Sequence, residues 1–260
     1  MSSKMAASVE TPSRLEIVAV GGLPEITAGA PLAELLCHAI RQCGLAVQNG
    51  DVVVVAQKIV SKSEGRLVEL RAVEPSPFAR SLAATLGKDP RQVEVILRES
   101  KRVVRMDGGR FIVETHHGLV CANAGVDTSN VPPGWVSLLP LDPDASARHL
   151  QEAMALQSGC RTAVIISDTF GRPWREGLTN VAIGVAGFRP LLDYRGQSDE
   201  YGHTLSATVI AAADELAAAA ELVMGKTTRR PAAMIRNFPW VEHSGQAAEL
   251  IRPPEKDLFR

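Results

Sequence analysis

Two aspartate-threonine pairs are the residues of this chain best suited to chemistry. They are Asp127-Thr128 and Asp168-Thr169, and each follows a short, largely apolar run that predicts a buried strand. We therefore expect both pairs to emerge from the carboxyl ends of strands. Carboxylate and hydroxyl oxygens suit Mg²⁺ or Mn²⁺, which binds one or two protein carboxylates and completes its shell with phosphates and water. The pattern predicts phosphoryl chemistry.

A single pair of this kind more often caps a helix or closes a turn. Two pairs, together with Arg172 and Arg175 after the second one, favour a metal and phosphate site. We expect the segments that carry the pairs, residues 123–130 and 167–177, to be polar loops.

Other nucleotide and metal motifs fail on inspection. Gly225-Lys226-Thr227 resembles the end of a P-loop, but Ala220 stands where the motif requires glycine, and a helix rather than a strand precedes it. The chain also lacks the Rossmann glycine pattern, the HExxH and GxSxG motifs and paired-cysteine zinc spacing. These enzyme classes are therefore not predicted.

Composition limits the partners and the compartment. The 260 residues include 28 basic and 29 acidic ones, so the net charge of −1 gives no global field that attracts nucleic acid or an anionic membrane. Four cysteines without CxxC spacing indicate a reducing compartment. The N-terminus lacks the apolar core of a signal peptide, and no apolar run approaches the roughly 20 residues that span a bilayer. We expect a soluble, cytoplasmic protein.

Strands and helices are predicted without strict alternation, which favours an α+β fold with mixed sheets and flanking helices. The β-branched run 51–55 predicts a central strand, and 57–65 reads as a polar turn. The other predicted strands are 15–20, 110–115, 118–122, 162–166 and one near 231–235, and the predicted helices are 32–43, 75–86, 90–100, 144–157 and about 204–224. Residues 1–13 are predicted to be a flexible leader, 14–245 a domain with a joint near 132–143, and 246–260 a C-terminal tail.

Five ordered segments resemble the coenzyme F420-0:L-glutamate ligase family, and the resemblance runs from about residue 15 to residue 237. They are GLPEI (22–26), VSKSEGR (60–66), NAGVDTSN (123–130), LPLDPD (139–144) and SDTFGRPWREG (167–177). The resemblance implies two interlocked sub-domains, an intertwined homodimer and a nucleotide cleft. It also implies that GTP converts the terminal carboxylate of F420-0 into an acyl phosphate, which the amine of L-glutamate attacks to form γ-linked amides.

The resemblance also implies the site residues. Asp127, Asp168 and Thr169 would hold Mg²⁺ or Mn²⁺, with K⁺ as a further candidate ion, and Asp127, Asp168 and Lys62 would serve catalysis. A lysine after a buried strand supplies a point charge to a phosphate. The implied contacts with GTP, the co-substrate, are Leu23, Pro24, Glu25, Ile26, Gln57, Lys62, Asn130, Met224, Gly225 and Lys226.

Two departures from the family pattern leave alternatives open. Archaeal members carry serine or threonine in place of Gln57 and Lys58, and an acidic residue in place of Lys226. The lysine at position 226 implies one of two things. Either any second metal ion has one protein ligand fewer than in those members, or Lys226 itself contacts a phosphate. The rival interpretations are a non-catalytic binder of deazaflavin or nucleotide, and an amide ligase of the same mechanism that acts on another carboxylate. We expect a ligase alone, without the nitroreductase-like domain of some actinobacterial relatives.

Overall fold

The computed structural model describes residues 13–257 and confirms the α+β class, with several sheets and flanking helices. The predicted leader lies outside the described residues except for Ser13. The strands, labelled in chain order, are β1 Glu16–Val20, β2 Val52–Ala56, β3 Leu67–Glu69, β4 Ser100–Asp107, β5 Arg110–Thr115, β6 Val120–Ala122, β7 Trp135–Ser137, β8 Ala163–Arg172, β9 Arg175–Ala186, β10 Leu192–Asp193, β11 Val209–Ile210 and β12 Ala232–Arg236. The α-helices are α1 Leu32–Gln42, α2 Gln57–Ser63, α3 Pro77–Leu86, α4 Pro90–Arg98, α5 Pro143–Ser158 and α6 Ala212–Met224.

The main sheet has the strand order β1-β12-β2-β8-β9. β2 is its central strand, as predicted, and runs parallel to β8, whereas the other neighbours are antiparallel. Alternate residues of β2 face opposite layers. Val53 and Val55 pack with α1 and α5, and Val52 and Val54 pack with α6. A strand buried on both faces needs an unbroken apolar run, which explains the sequence of four valines.

Residues 67–138 form a second region with its own hydrophobic cluster around Phe111 and Val113. It contains the sheet β4-β5-β6, the pair β3-β7 and the helices α3 and α4. Two side chains cap its helices: Ser76 accepts the amide of Ala79 before α3, and Asp89 accepts the amide of Arg91 before α4. The chain leaves this region within the stretch where we predict a joint; the domain bounds stay a prediction.

Three predictions of local structure are wrong. Residues 57–63 of the segment 57–65 form the helix α2, because Ile59 and Val60 are buried in the main core and hold the helix there; only residues 64–65 form the predicted turn. The segment 167–177 is not a loop: β8 and β9 continue as a hairpin around Pro173-Trp174. The alanine-rich helix starts at Ala212 instead of residue 204, because Val209–Ile210 pairs with Leu192–Asp193 as β11 and β10.

The sequence interpretation also missed β4, because most of its residues are exposed and half are charged, so that they show no apolar period. Residues 247–250, which we assigned to the tail, form a short 3-10 turn packed against β9, and Ala247 is buried there. Among residues 13–257 no helix is long and apolar enough to cross a bilayer.

Candidate functional site

The two aspartates reach the same end of the main sheet by different routes. Asp168 lies within β8, just after a bulge between Ile166 and Ser167. Bulges are common next to functional sites because they re-aim side chains. Asp127 follows β6 through a tight turn in which a Cβ on Gly125 would stand 2.6 Å from the side chain of Leu139. The glycine therefore permits the close packing that delivers Asp127.

Four charged side chains meet at this end of the sheet. Burial raises the pKa of Asp168 to about 6, the negative charge of Asp127 adds to the increase, and the charges of Lys58 and Lys226 oppose it. Burial also acts on Asp127, but hydrogen bonds from Lys58 and Ser129 outweigh it and hold the pKa of Asp127 below its ordinary value. One further carboxylate, that of Asp127, and the two ammonium groups thus lie within electrostatic reach of Asp168.

Lys58 neutralises Asp127 directly. Its Nζ lies 2.6 Å from Asp127 Oδ2 and donates to the Ser129 carbonyl at 2.8 Å. Ser129 donates to the same carboxylate through its amide at 2.8 Å and its hydroxyl at 2.9 Å. A carboxylate accepts about four hydrogen bonds. The Asp127 carboxylate can therefore accept few further hydrogen bonds or metal bonds unless a bound cation displaces Lys58.

Thr169 lies next to Asp168 and contacts the second lysine. Its hydroxyl donates to Asn180 Oδ1 at 2.6 Å and accepts from Lys226 Nζ at 2.6 Å. Lys226 also forms an ion pair with Glu221 at 2.9 Å. Gly225, with φ 62° and ψ 179°, ends α6 and turns the chain so that Lys226 reaches Thr169. Any residue other than glycine would be strained at these backbone angles.

Lys62 is buried in the last turn of α2, and its ammonium group pairs with Glu25. Glu25 is 70% exposed, so an incoming anion can displace it from Lys62 at little cost. Leu23 and Ile26 of the same loop pack against the core, whereas Pro24 is exposed. The structure gives no contact between Lys62 and the two aspartates.

Several predicted nucleotide contacts face away from solvent. Gln57 is 2% exposed and accepts the hydroxyl of Ser61 within its own helix at 2.8 Å. Met224, the last residue of α6, is buried in the hydrophobic cluster between α6 and the main sheet. Asn130 is exposed and left-handed, with φ 55°, one residue after Ser129.

The oxygen donors fit a divalent ion that keeps water and phosphate ligands. Two carboxylates and one hydroxyl match the few protein ligands that Mg²⁺ or Mn²⁺ takes in phosphoryl-transfer sites. Within residues 13–257, no group of three or more histidine, cysteine, aspartate or glutamate side chains is arranged to hold an ion alone. Burial, with the charge of Asp168, raises the pKa of the neighbouring Cys121 to about 12, so its thiol is protonated at neutral pH in the metal-free protein.

Sequence reasoning missed Asn180, Ser129 and Glu221, and it named Lys58 only as a departure. A signal existed for Lys58, which lies one helical turn before Lys62, so that both lie on one face of α2. No local pattern marks Asn180, which enters the site because β9 pairs Asn180 with Thr169.

Known proteins resemble this chain over nearly its whole length. The family model described as F420-0:Gamma-glutamyl ligase matches residues 22–237. A protein of Methanothermobacter thermautotrophicus named coenzyme F420:L-glutamate ligase is 45% identical over 249 residues, which cover 95% of this chain and 99% of that protein. Proteins of the same name from Methanopyrus kandleri and Archaeoglobus fulgidus are 46% and 40% identical and cover 93% and 95% of this chain, with 100% and 97% of their own lengths matched.

Proposed function

The chain belongs to the F420-0:gamma-glutamyl ligase family, and on this premise we propose that it joins L-glutamate to coenzyme F420-0 in F420 biosynthesis. We propose GTP as the co-substrate, γ-linked amides as the products and Mg²⁺ or Mn²⁺ as the cofactor, with K⁺ as a further ion. Relatives 40–46% identical over most of the chain carry the name of this reaction, which supports the substrate assignment.

The convergence of Asp127 and Asp168, flanked by Lys58 and Lys226, is the observation that carries the proposal. Burying like charges beside each other is unfavourable unless cations compensate. A site that holds two carboxylates and two lysines in one place is suited to bind the oppositely charged parts of a metal-nucleotide complex. Phosphoryl transfer depends mainly on such positioning and charge neutralisation.

Two steps account for the reaction. An oxygen of the F420-0 carboxylate forms a bond to the γ-phosphorus of GTP as the bond to the β-phosphate oxygen breaks, which yields an acyl phosphate and GDP. The neutral amine of L-glutamate then attacks the acyl carbon, phosphate leaves, and the nitrogen loses a proton. A divalent ion, when bound, supplies charge neutralisation on the phosphates. Asp127, Asp168 and Thr169 would hold it, and Lys62 and Lys226 would donate to phosphate oxygens.

One observation favours a non-catalytic homologue as the second candidate. Lys58 already neutralises Asp127, so a permanent internal cation could replace the metal and leave a site that binds without turnover. A ligase that acts on another carboxylate would share every feature of the site. We also propose a homodimer in the cytoplasm, which sedimentation and cell fractionation would test.

The test is to incubate the protein with F420-0, L-glutamate, GTP and Mn²⁺ and to follow F420-0 by mass spectrometry. We expect successive glutamyl additions with release of GDP and phosphate. Binding of GTP without any addition would support the non-catalytic candidate. Release of GDP with another carboxylic acid, but not with F420-0, would support the other ligase.

A further inference from the structure

Four side chains from three parts of the fold form a closed ring beside Asp168. Thr169 of β8 contacts Asn180 of β9, Asn180 contacts Glu221 of α6, Glu221 contacts Lys226 after α6, and Lys226 returns to Thr169. The contact distances are 2.6, 3.0, 2.9 and 2.6 Å. Thr169 and Lys226 have roles in the proposed reaction, whereas Asn180 and Glu221 contact neither substrate nor metal in it.

The ring fixes where the hydroxyl proton of Thr169 points. The Glu221 carboxylate accepts hydrogen bonds, so it selects the Nδ2 end of the Asn180 amide, 3.0 Å from its Oε2. Oδ1 of Asn180 must then face Thr169 and accept its proton. With that proton committed, Thr169 presents only lone pairs to other partners. One accepts from Lys226, and the second can serve a metal ion or its water.

The ring also restrains the ammonium group of Lys226. The side chain of Lys226 is 59% exposed, and an exposed lysine ordinarily samples many rotamers. Glu221 and Thr169 hold its Nζ from two sides. A carboxylate in the last turn of a helix is opposed by the helix dipole, so the position of Glu221 is unfavourable unless such partners compensate it. Asn180 is 4% exposed, which makes its hydrogen bonds costly to leave unmade.

We propose that Asn180 and Glu221 are positioning residues of the phosphoryl-transfer site. Asn180 sets the Thr169 hydroxyl as an acceptor toward the divalent ion, and Glu221 holds Lys226 as a fixed cation for a phosphate oxygen. The inference rests on the proposed function, because it assigns these roles within the same site.

The test uses two variants of the full chain and two binding measurements that need no turnover. Asn180→Ala should weaken Mn²⁺ binding, measured from free Mn²⁺ by electron paramagnetic resonance, by about tenfold, the size typical of lost outer-shell partners. Glu221→Gln should raise the Kd of GTP by about tenfold, since an ion pair that orients the lysine is lost. Glu215→Gln, an exposed glutamate of the same helix, is the matched control and should change neither value.

Double variants distinguish positioning from a general structural effect. If Glu221 acts through Lys226, Glu221→Gln should have no further effect on GTP binding in a Lys226→Ala background. Likewise, Asn180→Ala should have no further effect on Mn²⁺ binding in a Thr169→Val background. A structural role would give additive losses in both backgrounds.

Wild-type binding of Mn²⁺ and GTP in both single variants would overturn the inference. If Asn180→Ala does not fold, as judged by thermal unfolding, the Glu221→Gln result and its double variant decide the outcome. Failure of the wild type to glutamylate F420-0 would contradict the proposed function instead, and the two binding measurements would still test the ring.

Discussion

At the scale of single residues, the site depends on charges held partly out of water. Asp168 is half-buried, and its raised pKa shows that its environment favours the protonated form despite Lys58 and Lys226. Asp127 has the opposite shift because Lys58 and Ser129 donate to it directly. Hydrogen bonds from within the protein therefore compensate the charge of Asp127, whereas at Asp168 burial outweighs the two nearby lysines.

Asp168 should make the metal-free protein less stable at neutral pH. Its pKa is raised from 3.8 to about 6 on folding, so the folded state binds the proton more tightly and stability falls as pH rises through this window. Asp168→Asn should therefore increase the free energy of unfolding above pH 6 by up to about 3 kcal/mol. The gain should shrink as pH falls toward 4. Urea unfolding in EDTA at several pH values measures it, and a gain that is independent of pH would contradict this account.

Lys62 should bind a phosphate of the nucleotide. Lys62→Ala should raise the KM for GTP by about one to two decades, which corresponds to the loss of a charge-assisted hydrogen bond worth roughly 1.5–3 kcal/mol. Lys62→Arg should restore only part of the affinity, because a planar fork replaces a compact charge. Lys256→Ala, which removes an exposed lysine outside the proposed site, serves as the control and should leave GTP binding unchanged. An unchanged KM for GTP in Lys62→Ala would show that Lys62 does not bind the nucleotide.

At the scale of elements, the sequence predicts what periodicity and burial control. The central strand, the hairpin of β5 and β6, and the helices around residues 77–86, 90–98 and 143–158 lie close to their predicted positions. Two of the errors fall where polar residues belong to regular structure. The polar face of α2 and the exposed arm of β8 and β9 look like loops because their side chains surround a site instead of filling a core.

Gly225 should be required for the placement of Lys226. Its φ of 62° with ψ of 179° is accessible to glycine almost alone, and an added Cβ would approach Thr228 Cγ2 at 3.1 Å. Gly225→Ala should cost about 1–3 kcal/mol of stability and weaken GTP binding. Gly159→Ala is the matched control, because Gly159 also ends a helix at positive φ but has open space around its Cα. Gly159→Ala should lower the stability without weakening GTP binding. Equal losses of GTP affinity in the two variants would contradict the role of Gly225.

At the scale of the whole molecule, the site forms where separate parts of the chain meet. The main sheet supplies Asp168, and residues 67–138 supply Asp127 from a region with its own hydrophobic cluster. The sequence identifies both aspartates through their shared Asp-Thr pattern. It cannot identify Asn180 or Glu221, because their contacts depend on the fold. Strand pairing brings Asn180 to Thr169, 11 residues away along the chain, and helix packing brings Glu221 to Asn180, 41 residues away.

Asp144 should hold the C-terminal segment to the main sheet. Its carboxylate accepts the amides of Val185 and Ala247 at 2.8 and 2.7 Å, and that of Ala248 at 3.3 Å. Asp144→Ala should cost about 2–3 kcal/mol, since buried amides lose a charged acceptor. It should also speed proteolysis after residue 243. Asp142→Ala, which removes only the helix cap contact with Ala145, is the control and should cost about 1 kcal/mol without exposing the segment. Equal protease resistance in both variants would contradict this role.

The central claim is that GTP activates a carboxylate by phosphoryl transfer at the end of the sheet where Asp127 and Asp168 meet. Its most direct test combines the protein with F420-0, GTP and Mn²⁺, omits L-glutamate and adds hydroxylamine. We predict a hydroxamate of F420-0 formed in proportion to GDP and phosphate, and none of these products with Asp168→Ala. Formation of GMP and pyrophosphate, or full hydroxamate yield with Asp168→Ala, would contradict the account.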